Sequence, residues 1–110
     1  MAPTVWYHVR NLDEARNFYQ ELLGFEETSA DTTERWSMLR NGEMEIGLAE
    51  GEPREDAGVA YVDVGDLKTE ADRLRAAGVN VGIVFELQGE MRLLDVFDSD
   101  GNRIQLAQEL

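Results

Sequence analysis

A capped helix closed by glycine occurs twice in this chain, half a chain length apart, and that repeat limits the fold more than any other feature. Asn11 stands as a cap with Glu14 three residues on, and Leu12, Ala15, Phe18, Tyr19 and Leu22 recur at helical spacing before Gly24. Asp66 caps a second helix carrying Leu67, Ala71, Leu74 and Ala77 before Gly78. The offset is 55 residues at the caps and 54 at the glycines, in a chain of 110 residues. Two units that bury each other's open faces make one domain, and a chain of this length has room for one, since domains cluster around ~100–150 residues.

Strand signals complete each unit. Val5 to Val9 is rich in β-branched and aromatic residues and precedes the first helix. A short strand near Glu27, Arg35 to Leu39, and Glu43 to Ala49 follow it, with Asn41-Gly42 as a hairpin turn. In the second half Val59 to Val64 precedes the helix, and Gly82 to Glu86, Met91 to Phe97 and Arg103 to Ala107 follow it, with Asp98 to Asn102 as the last turn. Each half therefore reads βαβββ. We expect an α+β domain over 1–110, with modules at 1–50 and 58–110 and a polar linker at 51–57 holding Gly51, Pro53 and no periodicity.

Composition narrows what such a domain can meet. The formal charge of -13 repels phosphate backbones and anionic lipid heads, so nucleic acid is a poor partner and a neutral or cationic ligand suits the field. No segment approaches the ~18 apolar residues of a membrane span. With no cysteine there is no disulfide and no thiolate metal site, and the amino terminus lacks the pattern of a signal peptide. The cytoplasm is the expected compartment.

Side chains alternate across a strand, so each strand contributes to two faces. Val5, Tyr7 and Val9 suit a helix-covered core and leave Thr4, Trp6 and His8 opposite, while Met44, Ile46 and Leu48 leave Glu43, Glu45 and Gly47. Ala60, Val62 and Val64 leave Val59, Tyr61 and Asp63, and Ile104 with Leu106 leaves Arg103, Gln105 and Ala107. The candidate ligand-binding set is Trp6, His8, Trp36, Met38, Glu45, Tyr61, Asp63, Arg92 and Gln105. Rings mixed with a few polar tips are what ligand pockets contain.

Asn11-Leu12-Asp13-Glu14-Ala15-Arg16-Asn17-Phe18-Tyr19 with Leu22-Leu23-Gly24-Phe25, Ala76-Ala77-Gly78-Val79, and Phe97-Asp98-Ser99-Asp100-Gly101-Asn102-Arg103-Ile104-Gln105-Leu106 together resemble the vicinal oxygen chelate superfamily of glyoxalases, dioxygenases and bleomycin- or fosfomycin-resistance proteins. The resemblance implies paired βαβββ modules forming a cupped mixed sheet, and a homodimer. An exposed edge strand at Glu26 to Ser29 also favours pairing with a second chain.

Members that do metal chemistry place His near the start of each module's first strand and Glu in a module's last strand. Seven residues before the caps stand Thr4 and Val59. The last-strand position after the Asp98 to Asn102 turn is Gln105, and Glu45 is taken as its counterpart in module one. A divalent catalytic site needs about three His, Asp or Glu ligands. His8 lies roughly 13 Å along the strand from Thr4 and is a poor substitute. No metal and no other cofactor is expected.

Three functions follow. The first is a metal-free module, similar to bleomycin-resistance proteins, that holds a flat, often cationic compound with Trp6, Trp36 and Tyr61 for stacking and Glu45 and Asp63 for charge. The second is a lyase, isomerase or glyoxalase-like enzyme of the same superfamily, with Glu45 or His8 as general base. The third is a module that offers only an oligomer or sensor surface.

Overall fold

The computed structural model describes residues 4–110, so residues 1–3 of the expected first module lie outside the described residues. Module one runs β1 (Thr4–Val9), α1 (Leu12–Asn17), β2 (Glu26–Asp31), β3 (Trp36–Asn41) and β4 (Met44–Glu50). Module two runs β5 (Ala60–Asp63), α2 (Leu67–Ala76), β6 (Asn80–Val81), β7 (Phe85–Leu87), β8 (Met91–Phe97) and β9 (Arg103–Glu109). The sheets order as β1-β4-β3-β2 and β5-β9-β8-β6, with β7 also on β8. In both, the first strand lies parallel to the last, and the helix between them is the crossover that a parallel pair requires.

Both helices start as the caps dictate. The Asn11 side chain accepts from the Glu14 amide and that of Asp66 from the Thr69 amide, each taking up an amide with no partner inside the helix. Gly24 and Gly78 have φ of 73° and 84°, a left-handed backbone that glycine adopts without steric cost. The first helix does not stay α-helical: Phe18–Leu22 is a π-helical turn carrying the fully buried Tyr19. Periodicity alone predicts an unbroken helix there.

Several strand ends differ from expectation. Arg35 has φ of 58° and lies before β3, not within it. Glu43 belongs to the hairpin turn, because Asn41 pairs with Met44. β5 is shorter than Val59 to Val64, while β9 extends beyond Ala107 to Glu109. Gly82 to Glu86 is not one strand: the Gly82 amide still donates to the Asp95 carbonyl at 2.9 Å, but Ile83 and Val84 lie between β6 and β7 outside either strand, and Ile83 is 85% exposed.

The core lies between the sheets and helices. Val9, Leu12, Leu39, Ile46, Leu48, Leu67, Leu74, Leu94, Val96 and Ile104 are buried in one continuous cluster that spans both modules. Truncating a leucine in such a cluster costs about 2–5 kcal/mol. The modules are also joined by polar bonds. Tyr7 Oη accepts from the Ala60 amide at 2.8 Å and donates to the Arg103 carbonyl, and Asn102 Nδ2 donates to the His8 carbonyl at 3.0 Å. Among the described residues no helix is long and apolar enough to cross a membrane.

Candidate functional site

The sheet faces turned away from the helices are built in rows, set by strand register. On sheet one, Thr4, Glu45 and Arg40 form one row, Trp6, Gly47 and Met38 the next, and His8, Ala49 and Trp36 the third. On sheet two, Tyr61, Gln105 and Asp95 form a row, and Asp63, Ala107 and Leu93 another. Cross-strand neighbours stand ~4.5–5.5 Å apart at Cβ, so each row is a continuous surface.

Two rings dominate these faces. Trp6 is 44% exposed and Tyr61 is 39% exposed. A Cβ on Gly47 would fall 2.4–2.6 Å from three carbons of the Trp6 six-membered ring, so the indole lies flat on the glycine. Partial burial and then the carboxylates of Asp63 and Glu109 push the phenol of Tyr61 up. It stands between two clefts of about 480 and 520 Å³, which also carry Glu43 and Met44 on one side and Glu90, Met91 and Glu109 on the other.

The polar groups are tied to their neighbours. Thr4 Oγ1 donates to Glu45 Oε1 at 2.9 Å, and Gln105 Nε2 donates to Asp95 Oδ1 at 3.3 Å. His8 Nδ1 is buried without a hydrogen-bond partner among the described residues.

The expected residues thus fall into two groups. Trp6, His8, Trp36, Met38 and Glu45 share the open face of sheet one, and Tyr61, Asp63 and Gln105 that of sheet two. The cleft of about 480 Å³ sets the Asn41 to Met44 hairpin of module one against Tyr61 and Asp63 of module two. Arg92 belongs to neither. It alternates with the buried Leu94 and Val96, so it points to the helix side, where its Nε lies 3.8 Å from Glu86. Thr4, Gly47 and Asp95 were missing from the expected set. Strand alternation puts Thr4 and Gly47 on the open face in the sequence, and the same count from Leu94 and Val96 reaches Asp95.

The sequence pattern of the Glyoxalase/Bleomycin resistance protein/Dioxygenase superfamily matches residues 3–106. The chain belongs to this superfamily. No curated protein sequence matches it. Among solved structures, an integron cassette protein from the mobile metagenome of the Halifax Harbour sewage outfall superposes with a TM-score of 0.82 at 23% identity, covering 96% of this chain and 95% of that one. TnmS3, an antibiotic binding protein from a Streptomyces species, gives 0.79 at 21% identity over 100% and 96%. The fosfomycin resistance protein FosX from Listeria monocytogenes, solved with Mn(II) and sulfate, gives 0.80 at 17% over 100% and 90%.

Membership makes the ligand positions of the metal-binding superfamily enzymes worth locating, and register corrects one of them. Ile46 pairs with Val5 and Ile104 with Ala60, so Ile46-Gly47-Leu48 corresponds to Ile104-Gln105-Leu106. The counterpart of Gln105 is Gly47, and Glu45 corresponds to Arg103. Both Ile-x-Leu triplets stand in the sequence, and counting on them instead of on alternation alone gives the right pairing. The four positions are Thr4, Gly47, Val59 and Gln105, a donor set that does not fit a divalent metal. Among the described residues no three His, Asp or Glu side chains converge as a metal site.

Proposed function

We propose that the protein binds a small aromatic, cationic compound without a metal and without turning it over. One observation carries this reading: equivalent positions in the two modules hold a ring, Trp6 and Tyr61, beside ligand positions occupied by Gly47 and Gln105. Aromatic faces attract flat rings and cations, and Glu45, Asp63 and a net charge of -13 favour a cation further. The likeness to TnmS3, described as antibiotic binding, supports a small-molecule binding role.

The working form in this proposal is a cytoplasmic homodimer. The two open faces lie on separate sheets of one chain, and Trp6, Tyr61, Phe85 and Leu87 remain exposed there. A second copy brings sheet one of one chain to sheet two of the other and closes a cup with both rings inside. Light scattering should give the mass of two chains, and a single-chain mass at working concentration removes the shared cup.

The test of binding is a thermal-shift screen of aromatic and cationic compounds followed by calorimetry, since a ligand that binds only the folded state raises its melting temperature. Trp6→Ala and Tyr61→Ala should each weaken the hits. Unchanged affinity for every hit in both variants defeats the proposal. A second reading, a metal-free lyase or isomerase, rests on Glu45, which Thr4 fixes on the open face as a single oriented carboxylate. It requires turnover that disappears in Glu45→Gln.

A further inference from the structure

We infer that Gly47 is a specificity-determining residue: by leaving room for the Trp6 indole to lie flat on β4, it makes a stacking platform that selects planar polycyclic ligands over bulky ones of equal charge. The inference rests on the binding reading above and adds the shape of the ligand and the sheet that reads it.

The geometry supports this in three steps. A side chain at 47 would have its first carbon within 2.6 Å of the indole, far inside van der Waals contact. That ring is rigid and anchored at β1, so any residue larger than glycine must lift it away from the sheet. With glycine there, one face of the indole rests on backbone, and the residue still exposes 44% of its surface, so the opposite face is open. In register terms Met38 flanks the glycine on β3, and Glu45 and Ala49 share its face on either side along β4. Along β1 the ring is flanked by Thr4 and His8, and the side chains beside the glycine on β3 and β4 are low or flexible.

A flat aromatic lying on such a surface keeps stacking distance over its whole area, whereas a cage-shaped ligand touches it at one edge. Aromatic pairs of this kind contribute roughly 0.5–1.5 kcal/mol beyond their buried area. In module two the corresponding position is Gln105, whose amide is bonded to Asp95. Tyr61 has no glycine to lie on, and the two faces of a closed cup would be unequal, with sheet one reading planarity.

Aminoacridine and adamantylamine, both cations with one amino group, separate the alternatives by calorimetry on the full-length protein. Gly47→Ala and Trp6→Leu should weaken aminoacridine about tenfold and leave adamantylamine nearly unchanged, while Trp6→Phe retains most of the planar preference. In a Trp36→Phe background, which leaves Trp6 as the single tryptophan, aminoacridine should quench the remaining fluorescence with the affinity that calorimetry gives for that same variant. Circular dichroism matching the parent chain shows that the fold persists, and Trp6→Leu, which adds nothing at 47, serves if Gly47→Ala does not fold.

Equal losses for both amines, or none for either, overturn the platform. If Tyr61→Ala alone weakens aminoacridine, the platform falls and the binding reading stands. If neither amine nor any compound of the wider screen binds, both fall. A change from dimer to monomer in ligand-free Trp6→Leu makes the indole an interface contact and also overturns the inference.

Discussion

Tyr19 Oη donates to Asp98 Oδ2 at 2.7 Å, joining the helix of module one to the last turn of module two. Asp98 also accepts from the Asp100 and Asn102 amides and from Asn102 Nδ2, so a carboxylate only 7% exposed has four donors. The acidic turn of the sequence motif is thus a folding device that anchors the two modules to each other.

Removing that carboxylate leaves buried amides and a phenol without a partner. Asp98→Ala should destabilise the protein by about 2–3 kcal/mol and Tyr19→Phe by about 1–2 kcal/mol, read as urea midpoints at constant m. A double variant no worse than Asp98→Ala alone would show that the two losses are one interaction.

Alkaline pH attacks the same seam. Burial pushes the Tyr7 phenol up to about 12, and Tyr19 is raised well above its ordinary range by burial and then by the Asp98 charge. Folded values above the unfolded value of 10.0 mean that stability is intact below pH 10 and is lost as pH rises toward about 12. Unfolding followed by circular dichroism should set in above pH 10 together with the ultraviolet absorbance of tyrosinate, and Tyr7→Phe should reduce that dependence.

Acid acts through Glu27. The Arg16 guanidinium, bonded to it at 2.6 and 2.8 Å, and the Ser37 hydroxyl hold its carboxyl below the ordinary value of 4.5. Its contribution is therefore present above pH 4.5 and fades as pH falls through the lower folded value. Glu27→Gln should lower stability at pH 7 and flatten the acid limb of the stability curve.

Gly78, with φ of 84° and open space where a Cβ would point, tests backbone strain without a clash. Gly78→Ala should cost about 1 kcal/mol in thermal unfolding, with the helix otherwise unchanged.

Much of this fold was legible because local signals agreed. Caps at Asn11 and Asp66, closing glycines and strand alternation all describe the same βαβββ unit, and the faces of Tyr7, Ile46, Val62 and Leu106 follow from counting by twos. Less legible were features set by partners distant in sequence. The π-helical turn at Phe18 serves a tyrosine whose partner lies 79 residues away, and the break at Gly82 to Val84 is an edge-strand event with no period of its own. Arg92 falls outside the candidate site because alternation with Leu94 and Val96 sets it on the helix side. The site suffered most from register: Glu45 and Gly47 share a face, and only pairing with β1 decides which one answers to Gln105.

The phenol at the module seam meets a carboxylate in only one of the possible pairings of halves. Tyr7 and Tyr19 stand where module two has Val62 and Leu74, and Asp98 stands where module one has Asn41. Two copies of the first half would face tyrosine toward asparagine, and two copies of the second would bury a carboxylate against leucine. The two halves are chemically complementary and no longer interchangeable, and a chain severed in its linker should reassemble by mixed pairing.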